Sequence, residues 1–269
     1  MKTNNEIDTI HKELQDSISN IYETMTFIEK SEEFQRHDPH LKQYFYHLHV
    51  KAIRNFQAIN VLINSKDLQN GYVEATVLLR VMTESYLHLC YLMQTPKEQI
   101  LKEYKELNDL KIKQTLDLEN PANTFKTSNK TEEDYIENLR LEYSNKKIKV
   151  PIHLRNMSVL ADTTHNKIVY HAIYEMFNTY VHYNPSTYIS YGTENEDGSF
   201  TYNSFERKPY LEARILFFAV NIQMILAHKL ILYFKIAIAP TSVLEGFSRW
   251  DNFVEEKKPA IFNGTDDYI

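Results

Sequence analysis

Apolar residues recur every three or four positions along most of the chain, the spacing that lays one stripe along a helix. From Asn5 to Glu33 the stripe is Ile7, Ile10, Leu14, Ile18, Ile21, Met25 and Ile28, which predicts an amphipathic first helix. Pro39 suits the first turn of a second helix reaching Asn64, with Tyr44, Phe45, Leu48, Ile53, Phe56, Ile59, Leu62 and Ile63 as its apolar residues. Between Tyr72 and Gln94 the pattern changes, because apolar residues now fall on every side. Such a segment is wrapped by other helices, and at about 1.5 Å per residue it is roughly 34 Å long.

Further helices are expected over 97–118, 131–145 behind a Thr131 cap, 153–160, 165–182 behind Asp162-Thr163-Thr164, and 209–239. A short amphipathic helix over 241–253 follows Pro240, and 255–269 reads as a frayed tail. The polar stretch 119–131 reads as a loop. Two β-prone runs, Thr187–Tyr191 and Phe200–Tyr202, flank the turn Glu196–Ser199 and predict a small hairpin within 186–205. The expected fold is all-α: a multi-helix bundle around 72–94 with a β-hairpin insertion, one domain over 1–254.

Composition narrows the functions open to such a bundle. Five glycines in 269 residues argue against Gly-rich nucleotide loops, and no cofactor is expected. A net charge of −6 supplies no general basic field, so contact with nucleic acid requires a local patch. The single cysteine, Cys90, cannot form an internal disulfide and fits a reduced, cytoplasmic setting. The stretch Ile215–Ala239 has the length of a bilayer span. Asn221, Gln223, His228, Lys229 and Lys235 interrupt it, so a buried bundle helix and no membrane are expected.

Two constellations carry candidate chemistry. Arg80, Glu84 and His88 stand at i, i+4 and i+8 on the central helix, stacked on one face. In a structural reading Arg80 and Glu84 form a buried ion pair that fixes helix register. In a functional one Arg80 grips an anion with its planar fork, Glu84 orients it, and His88 lines the same pocket. Glu84 and His88 also have the spacing of a metal-ligand pair, but bundle metal sites need matching Glu and Glu-x-x-His sets, so no metal is expected.

The second constellation is Phe177-Asn178-Thr179-Tyr180-Val181-His182, followed by Tyr183 and Asn184-Pro185. His182 falls at a helix end, where it stays accessible and the helix dipole favours its protonated form. Tyr170, Tyr174, Tyr180, Tyr183, Tyr188, Tyr191 and Tyr202 gather here, either as base-stacking platforms or as a wetted rim of the core.

The LLR-x-x-x-E segment at 78–84 and the Tyr-rich helix ending in His182 and Pro185 resemble an uncharacterised bacterial family of helical domains. More loosely, they resemble the HEPN superfamily of nucleotide-binding domains and ribonucleases. That resemblance implies a helical bundle of defence or toxin type, acting without metal on RNA or a nucleotide, with motifs often paired across a homodimer. Its motif is an Arg, a polar residue, three variable residues and a His. Asn178 and His182 match, whereas Phe177 stands at the Arg position, and Arg80 is the candidate replacement. The resulting candidate set is Arg80, Glu84 and His182 for catalysis, with Asn178, Tyr183 and His88 as ligand contacts. Two other readings stay open: a dimeric interaction or regulatory module that recognises a protein partner, and a binder of a small anion without turnover.

Overall fold

The computed structural model describes residues 4–65, 68, 71–118, 130–181, 190–202, 208–237 and 239–263. They form an all-α bundle with one two-stranded hairpin. Helix α1 (Asn4–Lys30) ends where the Ser31 hydroxyl caps a short α2 (Glu32–Gln35), so the expected first helix is two pieces. Asp38 caps α3 (Pro39–Asn64) by accepting from the His40 and Leu41 amides at 3.0 and 3.3 Å. Its other oxygen holds Lys97 at 2.5 Å, which ties the start of α3 to the start of α5 (Lys97–Leu118).

Helix α4 (Tyr72–Gln94) has the expected bounds and is the wrapped element. It packs along α3 and α10 (Pro209–Phe234), and also against α7 (Met157–Thr163) and the segment 170–181. Its buried residues, among them Val73, Leu79, Met82, Tyr86, Leu89 and Leu92, point in all directions, as the sequence pattern requires. Helix α6 (Lys130–Ser144) folds back on α5, and α11 (Thr241–Phe262) lies across α1 and α10. Helix α10 is long and apolar enough to cross a bilayer, and 67% of that apolar window is buried inside the bundle.

Several boundaries differ from the expectation, each for a local reason. No single helix covers 165–182. Thr164 ends α7, its hydroxyl bonding back to the Leu160 carbonyl at 2.9 Å, and His165 takes a left-handed conformation (φ 58°). The chain then makes α8 (Lys167–Val169), a wide π turn (Tyr170–Glu175) and α9 (Asn178–Val181). The hairpin pairs β1 (Gly192–Glu194) with β2 (Phe200–Tyr202), so the first strand lies downstream of the expected Thr187–Tyr191 run. Residues 186–189 and 203–205 of the expected insertion, and 119–129 of the expected loop, lie outside the described residues.

Helix α10 stops at Lys235, a left-handed cap whose amide bonds to the Ile231 and Leu232 carbonyls, ahead of the expected Ala239. The expected frayed tail is ordered as far as Phe262. Helix α11 continues through Pro259, and Ile261 is fully buried.

Candidate functional site

Helix α4 carries ionisable residues into two separate polar clusters. In the first, the Arg80 guanidinium lies 4.2 Å from the centroid of Tyr174 and donates to that residue's hydroxyl at 2.7 Å. Tyr174 in turn stacks on Tyr170, the rings 5.3 Å apart and inclined by 22°. Arg80, Tyr174 and Tyr170 are therefore three layers, assembled because the π turn widens the backbone where the two tyrosines sit.

Arg80 forms no ion pair with Glu84, contrary to the structural reading of that spacing; among the described residues its hydrogen-bond partner is Tyr174. Arg80 Nε is buried without a partner, which is a costly way to place a guanidinium nitrogen. Glu84 is half-buried and faces the same phenol. Burial raises the Tyr174 pKa, the Arg80 charge opposes that rise and the Glu84 charge adds to it. The phenol thus keeps its proton and stays neutral between the two charges. Asn178 is exposed at the start of α9, which packs against α4. His182 and Tyr183 lie outside the described residues.

His88 belongs to the second cluster, not the first. Its Nδ1 lies 2.9 Å from the Tyr104 hydroxyl of α5, and it is 8% exposed. Burial, followed by the nearby Lys51 and His153, pushes its pKa down to about 4, so it is neutral at physiological pH. Beside it, Glu103 Oε2 accepts from the Tyr91 hydroxyl at 2.5 Å and faces His153 Nε2 at 3.2 Å. Gln99 donates to Glu103 Oε1 at 3.0 Å, and the Tyr91 and His153 rings pack 4.8 Å apart. Burial and the bond to Glu103 push the Tyr91 pKa up to about 12.

Sequence reasoning did not single out Glu103, His153 or Tyr91 for this cluster. They sit far apart along the chain, and a charged helix such as α5 gives no local sign that one of its glutamates turns inward. Among the described residues no group of three or more His, Cys, Asp and Glu side chains is placed to hold a metal.

Fold and site together define a helical bundle whose central helix presents an arginine–tyrosine corner at Arg80 and, about two turns further on, a histidine–carboxylate network around His88. The chain belongs to the family of unknown function DUF5677, which it matches over residues 42–200. That span runs from α3 into the hairpin and contains both clusters, while α1, α10 and α11 fall outside it. No curated protein and no solved structure matches the chain.

Proposed function

We propose that this protein binds RNA or a nucleotide through its phosphate at the Arg80–Tyr174 corner. In the HEPN-like reading it is a bacterial protein of defence or toxin type, working in the cytoplasm, with His182 as the base that takes the proton of a ribose hydroxyl as that oxygen attacks the adjacent phosphorus and the next nucleotide's oxygen leaves. The observation that carries the proposal is the state of Arg80. Its guanidinium is clamped over a tyrosine ring, bonded to a neutral phenol and unpaired with any described carboxylate. A held fork without a direct ion pair to a described carboxylate is the donor set that a phosphate accepts in parallel hydrogen bonds. Tyr170, the outer layer of the stack, is the ring whose far face a base could rest on.

The test is direct binding of a short single-stranded RNA, and of nucleoside mono- and triphosphates, to wild type, Arg80→Gln and Arg80→Lys. Loss of one charge-assisted pair corresponds to about ten- to a hundredfold weaker binding for Arg80→Gln, with Arg80→Lys between. Cleavage of the RNA is followed in parallel with His182→Ala. Undiminished binding by Arg80→Gln would sink the proposal.

Binding of a small anion without turnover is the second reading. It is favoured by the position of His88, the described histidine nearest in sequence to Arg80, which is held by Tyr104 instead. RNA binding that depends on Arg80, with no cleavage to lose in His182→Ala, would select it.

A further inference from the structure

We infer that the α5–α6 hairpin is a docking surface for a second copy of this chain, the two hairpins pairing about a two-fold axis. Helix α6 rests on α5 through Tyr143, whose hydroxyl donates to Asp109 at 3.1 Å, and Lys146 closes on the same carboxylate at 2.7 Å. Those contacts fix which faces of the hairpin are left over. By helical spacing, one side of it presents Lys105, Asn108 and Ile112 of α5 next to Tyr135, Leu139 and Glu142 of α6. Tyr135 is 64% exposed although it is a large aromatic residue, and Ile112 and Leu139 are half-buried.

Charge identifies the occupant. Past Glu98, the exposed charged side chains of α5, among those described, are Lys102, Lys105 and Lys111, of which Lys105 is on this face. Those of α6, among its described side chains, are Asp134, Glu137 and Glu142. Glu137 is paired with Arg140 at 3.6 Å, and on the face with Tyr135 and Leu139 the carboxylate is Glu142, which is exposed beside Lys146. A face that is basic on one helix and acidic on its neighbour complements itself after a two-fold rotation. Lys105 of each copy then meets Glu142 of the other, with Leu139 and Tyr135 extending the contact along α6. An interface of this kind is isologous: each charged contact occurs twice, so a single reversal places two repulsions in the dimer.

Charge reversal by pairs, read by molecular mass in solution across a concentration series, tests the inference. Wild type is expected to be a dimer at high micromolar concentration. Lys105→Glu and Glu142→Lys, both at exposed positions, each weaken it by about tenfold or more. The Lys105→Glu/Glu142→Lys double variant restores it, because the complementarity is regenerated with the signs exchanged. Circular dichroism of each variant separates loss of association from loss of fold. A monomeric wild type overturns the inference, and so does a dimer whose mass ignores both reversals. A Lys105→Glu variant that keeps its mass but binds RNA less tightly also overturns it, assigning the lysines to nucleic acid.

Discussion

A guanidinium carries five N–H donors, and among the described residues Arg80 uses one of them, toward the Tyr174 hydroxyl. Replacing Tyr174 by Phe keeps the ring beneath the cation but removes that acceptor. The expected result is a loosened Arg80 and a several-fold loss of phosphate affinity, smaller than that of Arg80→Gln and measurable in the same titration. His88 supports a prediction of a different kind. Its folded pKa of about 4 lies below the ordinary histidine value of 6.5, so the unfolded chain binds the proton more readily. The contribution of His88 to stability is therefore complete above pH 6.5 and falls as pH drops, levelling off below about 4, for a total of roughly 3 kcal/mol. Burial, with Lys97 adding, also lowers the His37 pKa against the opposing effect of Asp38, so acid weakens the fold at that corner too. Urea denaturation at pH 7 and pH 5 checks this: a His88→Gln variant should show a shallower fall than wild type. That Arg80, Glu84 and His88 are ionisable residues inside a wrapped helix was legible in the sequence, but the drift of about 80° over eight residues turns His88 away from Arg80 into a second cluster. Their partners were not, since Tyr174 and Tyr104 reach them from other helices and no local pattern encodes that meeting.

The elements with the clearest periodicity, α3, α4 and α5, were legible almost to the residue because their ends carry punctuation: Pro39 behind Asp38, Gly71, and Pro96. The stretch 165–182 was not. Asp162-Thr163-Thr164 reads as the start of a helix, yet Thr164 bonds backward into α7 and the next turns widen into a π segment. A threonine hydroxyl reaches a carbonyl behind it as readily as an amide ahead, and packing against α4 decides between them. Glycine at the α3–α4 joint has a sharper role. A Cβ at Gly71 would lie 2.2 Å from the Leu62 carbonyl oxygen, so the joint closes only without a side chain. Gly71→Ala is expected to cost about 1–3 kcal/mol, through a forced separation of α3 from α4. Gly246, inside α11, has the opposite expectation, because its nearest neighbour atom would be Asn20 Cβ at 3.5 Å, an ordinary contact. Gly246→Ala should stabilise by about 0.5–1 kcal/mol from helix propensity. Chemical denaturation of the two variants side by side tests the assignment, which fails if the signs agree.

At the scale of the whole molecule, α10 is the post around which the bundle closes, touching α1, α3, α4 and α11. Its apolar length alone would fit a bilayer span, whereas Asn221, Gln223, His228 and Lys229 within it favour a core helix; here α1, α3, α4 and α11 cover most of that surface. The last cover is the end of α11, which composition alone presents as a frayed tail. Phe262 packs edge-on against Phe217 and Phe218 of α10, at 5.5 and 5.4 Å between ring centres. Arg214 of α10 donates to the Ile261 and Phe262 carbonyls at 3.0 and 3.3 Å, satisfying acceptors that the helix end would otherwise leave open. Glu255, Glu256, Lys257 and Lys258 are the polar side of this turn, and their density hides the two apolar residues behind them. Truncation after Val254 removes the buried Ile261 side chain and the Phe262 cover together, along with the two carbonyls that accept from Arg214. The expected cost is about 3–5 kcal/mol, from lost apolar burial and from the two hydrogen bonds to a charged donor. It should appear as a lower melting temperature and as binding of an apolar dye to the uncovered Phe217–Phe218 surface. A truncated chain that melts with wild type and binds no dye would mean that α11 ends its work at Trp250 and Phe253. Phe217 would then be covered from α11 by Trp250, at 5.5 Å, without Phe262.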